Sequence, residues 1–158
     1  MTHLLTTGCL VLACGNTLRS DDGVGPWLAA WLEACCPQRA GLRILSRQQW
    51  TADLAEDLAQ ARAALFLDCS IAAAPGELRL QTVTPAASPN GAGTHHLGAA
   101  ELLALALELY GAAPAPALLF TLGAGSLELS ESFSPALTAA LPEAQARILK
   151  AIDALLPA

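Results

Sequence analysis

The sequence predicts an α/β fold: a three-layer α/β/α domain built on a five-stranded, mostly parallel twisted sheet with one antiparallel strand. Three observations predict it. Short apolar runs alternate with helical stripes along the chain, the pattern of a sheet covered by helices. Ala and Leu dominate a composition that is 54% hydrophobic and 14% charged, ample for a buried core. One strand-to-strand connection, residues 71–76, is too short for a crossover helix, so that pair should be antiparallel. The 158 residues suit one domain, 1–158.

The first strand, residues 8–14, is apolar throughout, as a central parallel strand should be. It runs into Gly15-Asn16-Thr17-Leu18-Arg19-Ser20-Asp21-Asp22-Gly23-Val24-Gly25-Pro26. A helix follows to about Ala34, with Trp27, Leu28, Trp31 and Leu32 as its apolar stripe. Residues 41–46 alternate and read as a second strand nearer an edge. Thr51 is the expected N-cap of the next helix, which runs to about Gln60. Residues 63–67 form a third strand ending at Asp68, and residues 77–83 a fourth. A loop over residues 84–93 can reach about 30 Å, enough to return the chain across the sheet to Thr94-His95-His96. A helix then runs from about Leu97 to Tyr110, with Gly111 as its stop. Residues 117–122 are the fifth strand. The last helix starts at Ser134 or Pro135, and Pro142 is expected to kink or divide it.

The glycine-rich turn between strand and helix invites a phosphate reading, and its residues argue against one. Glycines at 15, 23 and 25 do not make a dinucleotide or P-loop signature. Asp21 and Asp22 stand where a phosphate would lie, and Arg19 alone cannot offset both. Carboxylates here suit a metal ion or the capping of free backbone N–H groups. The topology places this loop, Asp68 and His95 together at the carboxyl edge of the sheet, where open α/β folds bind ligands. Two oxygen ligands and one nitrogen suit a borderline divalent ion such as nickel or zinc and leave positions open for water or substrate. A histidine at a helix N-terminus also favours its neutral, metal-binding form. Each residue has a plainer reading. An aspartate can cap or turn the chain, and a loop histidine can be surface.

The net charge is −6, from 8 basic and 14 acidic residues with no basic cluster, so nucleic acid is not an expected partner. Residues 97–109 carry Glu101 and Glu108 and are too few to span a bilayer; no membrane partner is expected. Met1-Thr2-His3 has no charged leader, and a cytoplasmic location is expected. Five cysteines without a C-x-x-C read as free thiols in a reducing compartment. Cys14 and Cys69 lie near the edge, but nothing in the sequence marks either as an activated nucleophile, and Ser20 has no evident base. Glu128 and Glu131, after the fifth strand, either help select a partner or are simply solvated.

The run Gly15-Asn16-x-Leu18-x-x-Asp21-Asp22-Gly23-x-Gly25 resembles the opening signature of the hydrogenase maturation endopeptidases. Later pieces match in order: the strand ending at Asp68, Pro75-Gly76 in a turn, Thr94-His95 before an apolar helix, and Leu129-Ser130-x-x-Phe133-Ser134-Pro135 before the last helix. Cys14, Cys69 and Gln48-Gln49-Trp50 depart from the family's usual residues. The resemblance implies a protease that removes the carboxy-terminal extension of a nickel–iron hydrogenase large-subunit precursor after nickel insertion. It places the metal-contacting and catalytic positions on Asp22, Asp68 and His95, with His96 as the competing choice. The nickel would be supplied by the precursor, no tightly bound cofactor is expected, and the protein is expected to be a monomer. Two other classes stay open: a metallopeptidase with its own metal, and a noncatalytic nickel-sensing chaperone or docking module.

Overall fold

The computed structural model describes residues 7–88 and 97–157. Five strands form one sheet in the order β2-β1-β3-β5-β4. They are β1 (Thr7–Cys14), β2 (Leu42–Arg47), β3 (Ala61–Ser70), β4 (Leu78–Thr82) and β5 (Ala117–Gly123). β1 pairs in parallel with β2 and β3, β3 pairs in parallel with β5, and β4 pairs antiparallel with β5. The short connection between β3 and β4, residues 71–77, therefore reverses the chain as its length requires.

Alternation along the strands builds a core on each face. On one face Val11, Leu65, Leu67 and Phe120 pack against α1 (Val24–Cys35) and α4 (Pro135–Leu155). On the other, Leu10, Leu12, Ala64 and Phe66 pack against α2 (Leu54–Ala59) and α3 (Ala99–Tyr110). This is the predicted three-layer arrangement.

Local chemistry sets most boundaries. Gly111 stops α3 with φ +74°, and the Ser134 hydroxyl accepts the Leu137 N–H at the start of α4. Four expectations are corrected. Thr51 does not cap α2: the helix begins three residues later, and the Thr51 hydroxyl donates to the Asp53 carboxylate instead. α4 is one helix through Pro142, so the proline does not divide it. Trp27 leaves the core stripe of α1, is exposed, and meets Phe133 edge-to-face at 5.8 Å. β3 continues two residues past Asp68, because its pairing with β5 persists to Ser70 opposite Gly123. Asp68 is thus held by a strand and not by a loop.

Candidate active site

The glycine turn owes its shape to close backbone approaches. Gly15 has φ +151°, and a Cβ there would lie 1.9 Å from the Asp22 carbonyl oxygen. A Cβ on Gly25 would lie 2.5 Å from the Cys14 carbonyl oxygen and 3.1 Å from that of Leu67. Without side chains at 15 and 25, the start of α1 comes down onto the ends of β1 and β3. A short 3-10 turn, Ser20–Gly23, presents the two aspartates.

They part ways there. Asp21 is fully buried. Its Oδ1 accepts the Ser134 N–H (2.7 Å), and its Oδ2 accepts the Ser134 hydroxyl (2.6 Å), the Gly125 N–H (2.6 Å) and the Ser126 N–H (3.1 Å). Burial alone would raise Asp21, but these donors outweigh it and hold the carboxyl below its ordinary range. Ser20 is bound to the same loop: its N–H donates to the Ser130 carbonyl and its hydroxyl to the Ser132 carbonyl, both at 2.7 Å. A buried hydroxyl committed in this way does not serve as a nucleophile. Neither aspartate caps α1, whose N-cap is Gly23 without a side-chain bond.

Asp22 is half-buried and turns the other way. Its Oδ2 accepts the Asn16 N–H at 2.8 Å, which pins the turn. With Asp68 it lines a cleft of about 610 Å³ at the carboxyl edge of the sheet. Cys14, Arg19, Trp50 and Glu101 also line it. The cleft thus holds both of the carboxylates, Asp22 and Asp68, that the sequence reading places at this edge. Glu101 was noted only as a charge in an apolar run. Its position in the first turn of α3, on the helix that leads away from the cleft, was the available signal.

Asp68 sits in the more apolar surroundings. Burial pushes its carboxyl above the ordinary range. Hydrogen bonds from the Cys14 thiol and the Cys69 N–H (2.7 Å to Oδ1) pull it back, and the Asp22 charge adds to the rise. The thiols respond in the opposite sense to activation. Burial first, then the Asp68 and Asp22 charges, drive Cys14 far above the usual thiol range. Burial, with Asp22 and Asp68, pushes Cys69 up to about 12. Both are neutral thiols at pH 7 and poor nucleophiles. Cys14 acts here as a hydrogen-bond donor that orients Asp68.

His95 and His96 lie outside the described residues. Among the described residues, no group of three His, Cys, Asp or Glu side chains could hold a metal ion. Asp22 and Asp68 supply two oxygen donors, a set that wants further ligands from elsewhere. Trp50 packs edge-to-face on Phe66 at 5.2 Å, and its buried indole N–H has no acceptor among the described residues.

No family model matches the sequence, and no curated protein matches it. Solved structures do. The hydrogenase maturating endopeptidase HybD from E. coli aligns at 25% identity over 91% of this chain and 91% of that one, with a TM-score of 0.74. Hydrogenase maturation endopeptidases recur among the structural neighbours of this chain. A solution structure of an endopeptidase from Escherichia coli gives 25% identity, 92% and 91% coverage and a TM-score of 0.72. The [NiFe] hydrogenase maturation protease HycI from Thermococcus kodakarensis, at 20% identity, covers 97% of this chain and 94% of its own with a TM-score of 0.67, a likeness of fold. The family resemblance and the α/β fold class read from the sequence are both borne out by these endopeptidases. Among the described residues no helix is long and apolar enough to cross a membrane.

Proposed function

We propose that this chain is an endopeptidase that removes the carboxy-terminal extension of a nickel–iron hydrogenase large-subunit precursor, working in the cytoplasm as a monomer. The observation that carries the reading is the pairing of Asp22 and Asp68 in one cleft, within a fold shared with hydrogenase maturation endopeptidases. Nickel belongs to the substrate in this scheme. Asp22, Asp68 and His95 complete its coordination when the precursor docks, so that only a metal-loaded precursor is recognised. Two hard oxygens and an imidazole fit a borderline divalent ion.

The chain's own residues divide the remaining work. The Asn16 N–H fixes Asp22. The Cys14 thiol and Cys69 N–H hold Asp68 in place as a ligand for the incoming ion. Substrate-borne nickel polarises the scissile carbonyl.

The test is the intact mass of a nickel-loaded precursor incubated with wild type or with Asp68→Asn. A mass drop with wild type alone supports both the activity and the role of Asp68. A drop with both proteins keeps the activity and removes Asp68 from it. A complex without a mass change favours a docking module, and neither cut nor complex overturns the reading.

A further inference from the structure

The sheet has two edges, and they differ in where they lead. β4 contributes no residue to the cleft. β2 runs straight into it: Gln48, Gln49 and Trp50, the next residues of the chain, line the cleft beside Asp22 and Asp68.

The direction of the β2 backbone groups follows from its bonds to β1. The Arg47 carbonyl accepts the Gly15 N–H, and the Gly41 carbonyl accepts the Cys9 N–H. A strand residue sends its N–H and C=O to the same side, and the side alternates along the strand. Residues 43, 45 and 47 therefore face β1, and Ile44 and Ser46 face outward. The Ser46 carbonyl is covered by the Arg47 guanidinium at 3.0 Å. The N–H and C=O of Ile44 and the N–H of Ser46 have no partner among the described residues. Two hollows follow the same strand. One, about 210 Å³, takes in Leu42 and Ile44; the other, about 340 Å³, takes in Ser46 and Gln48 and shares Gly15 and Asn16 with the cleft.

We propose that the outer edge of β2 takes the substrate's polypeptide as an added strand, which leads the scissile bond into the cleft between Asp22 and Asp68. The inference rests on the endopeptidase reading and deepens it, since it states how the peptide is held. The recognition is by backbone, with alternate side chains dropping into the hollows. The occupant is an extended segment of the precursor. Its carbonyls supply the acceptors that the outward N–H groups lack, and Trp50 stands at the end of the path with a further donor unpaired among the described residues. Natural edges are guarded against such pairing, and here the Arg47 side chain covers one carbonyl of the edge.

Hydrogen exchange of wild-type protein, with and without nickel-loaded precursor, reads the edge directly. The amides of Ile44 and Ser46 should slow at least tenfold in the complex. Ser46→Pro removes the outward N–H at a position where an edge strand tolerates proline. It should raise KM for the precursor about tenfold with kcat little changed, and Ser46→Ala should behave as wild type. A complex that forms and is cut while both amides stay fast overturns the added strand and leaves the activity standing; so does Ser46→Pro with wild-type KM. Protection that grows with protein concentration in the absence of precursor assigns the edge to a second copy and overturns the proposal. A wild type that neither binds nor cuts removes the endopeptidase reading, and the inference with it. Should Ser46→Pro fail to fold, the wild-type exchange measurement decides alone.

Discussion

Asp21 and Asp22 are chain neighbours of the same type, and they do opposite things. Asp21 is sealed, accepts four hydrogen bonds, and ties the first loop to residues 125, 126 and 134, over a hundred positions away. Asp22 makes one backbone bond and opens on the cleft. A buried carboxylate with full satisfaction is an anchor; a half-buried one with spare lone pairs has capacity for a ligand. The difference comes from the 3-10 turn, which rotates successive side chains to different sides. One acid can then stabilise the loop that the other uses.

The largest expected effect separates the pair on function. Asp22→Asn should slow precursor processing about a thousandfold, on the order of 4 kcal/mol of transition-state stabilisation. The amide oxygen still accepts the Asn16 N–H, so the melting midpoint should move by no more than about 3 °C. Processing at wild-type rate would erase the distinction.

The second effect separates them on stability. Asp21 accepts only from donors, so Asp21→Asn turns an NH2 toward an N–H or hydroxyl. We expect a loss of about 3 kcal/mol, a drop of about 6–12 °C in thermal melting for a chain of this size. Its pH dependence has a definite sign. Asp21 is depressed in the folded state, so its contribution is complete above the ordinary carboxylate range and is lost as pH falls through the folded value. The gap between wild type and Asp21→Asn should therefore close in acid; a gap independent of pH would show that charge is not the reason.

Cys14→Ala should cost about tenfold in processing, the usual scale for removing a residue that orients a ligand. Cys14→Ser, which keeps a donor, should recover most of it. Equal defects in both would mean that Cys14 acts through packing. The smallest effect is on Asp68 and reverses the sign seen at Asp21. Its carboxyl is raised on folding, so the charged form opposes stability at neutral pH, and that cost disappears once pH falls below the unfolded value. Asp68→Asn should melt at or slightly above wild type near pH 7 and coincide with it in acid.

Much of this was legible in the sequence, for local reasons. The succession of strands and helices, the antiparallel fourth strand, the Gly111 stop and the start of the last helix at Ser134 or Pro135 follow from periodicity and turn chemistry within a few residues. Two of the errors share a cause in distant contacts. Trp27 fits the helical stripe, yet Phe133 meets it outside the core. Asp68 looks like a strand end until β5 extends the ladder beyond it. The role of Asp21 depends on Ser134, and no local pattern links the two. Cys14 read as a departure from the family's aliphatic residue, and its bond to Asp68 gives that departure a use.

The most direct measurement pairs two readings on one variant. Asp22→Asn is melted beside the wild type, and the same sample is incubated with nickel-loaded precursor and the product weighed. The account predicts a near wild-type melt and a precursor of unchanged mass, while wild type cuts. A variant that cuts at the wild-type rate, or one that fails to cut only because it has unfolded, would contradict the assignment of Asp22 to the reaction and Asp21 to the fold.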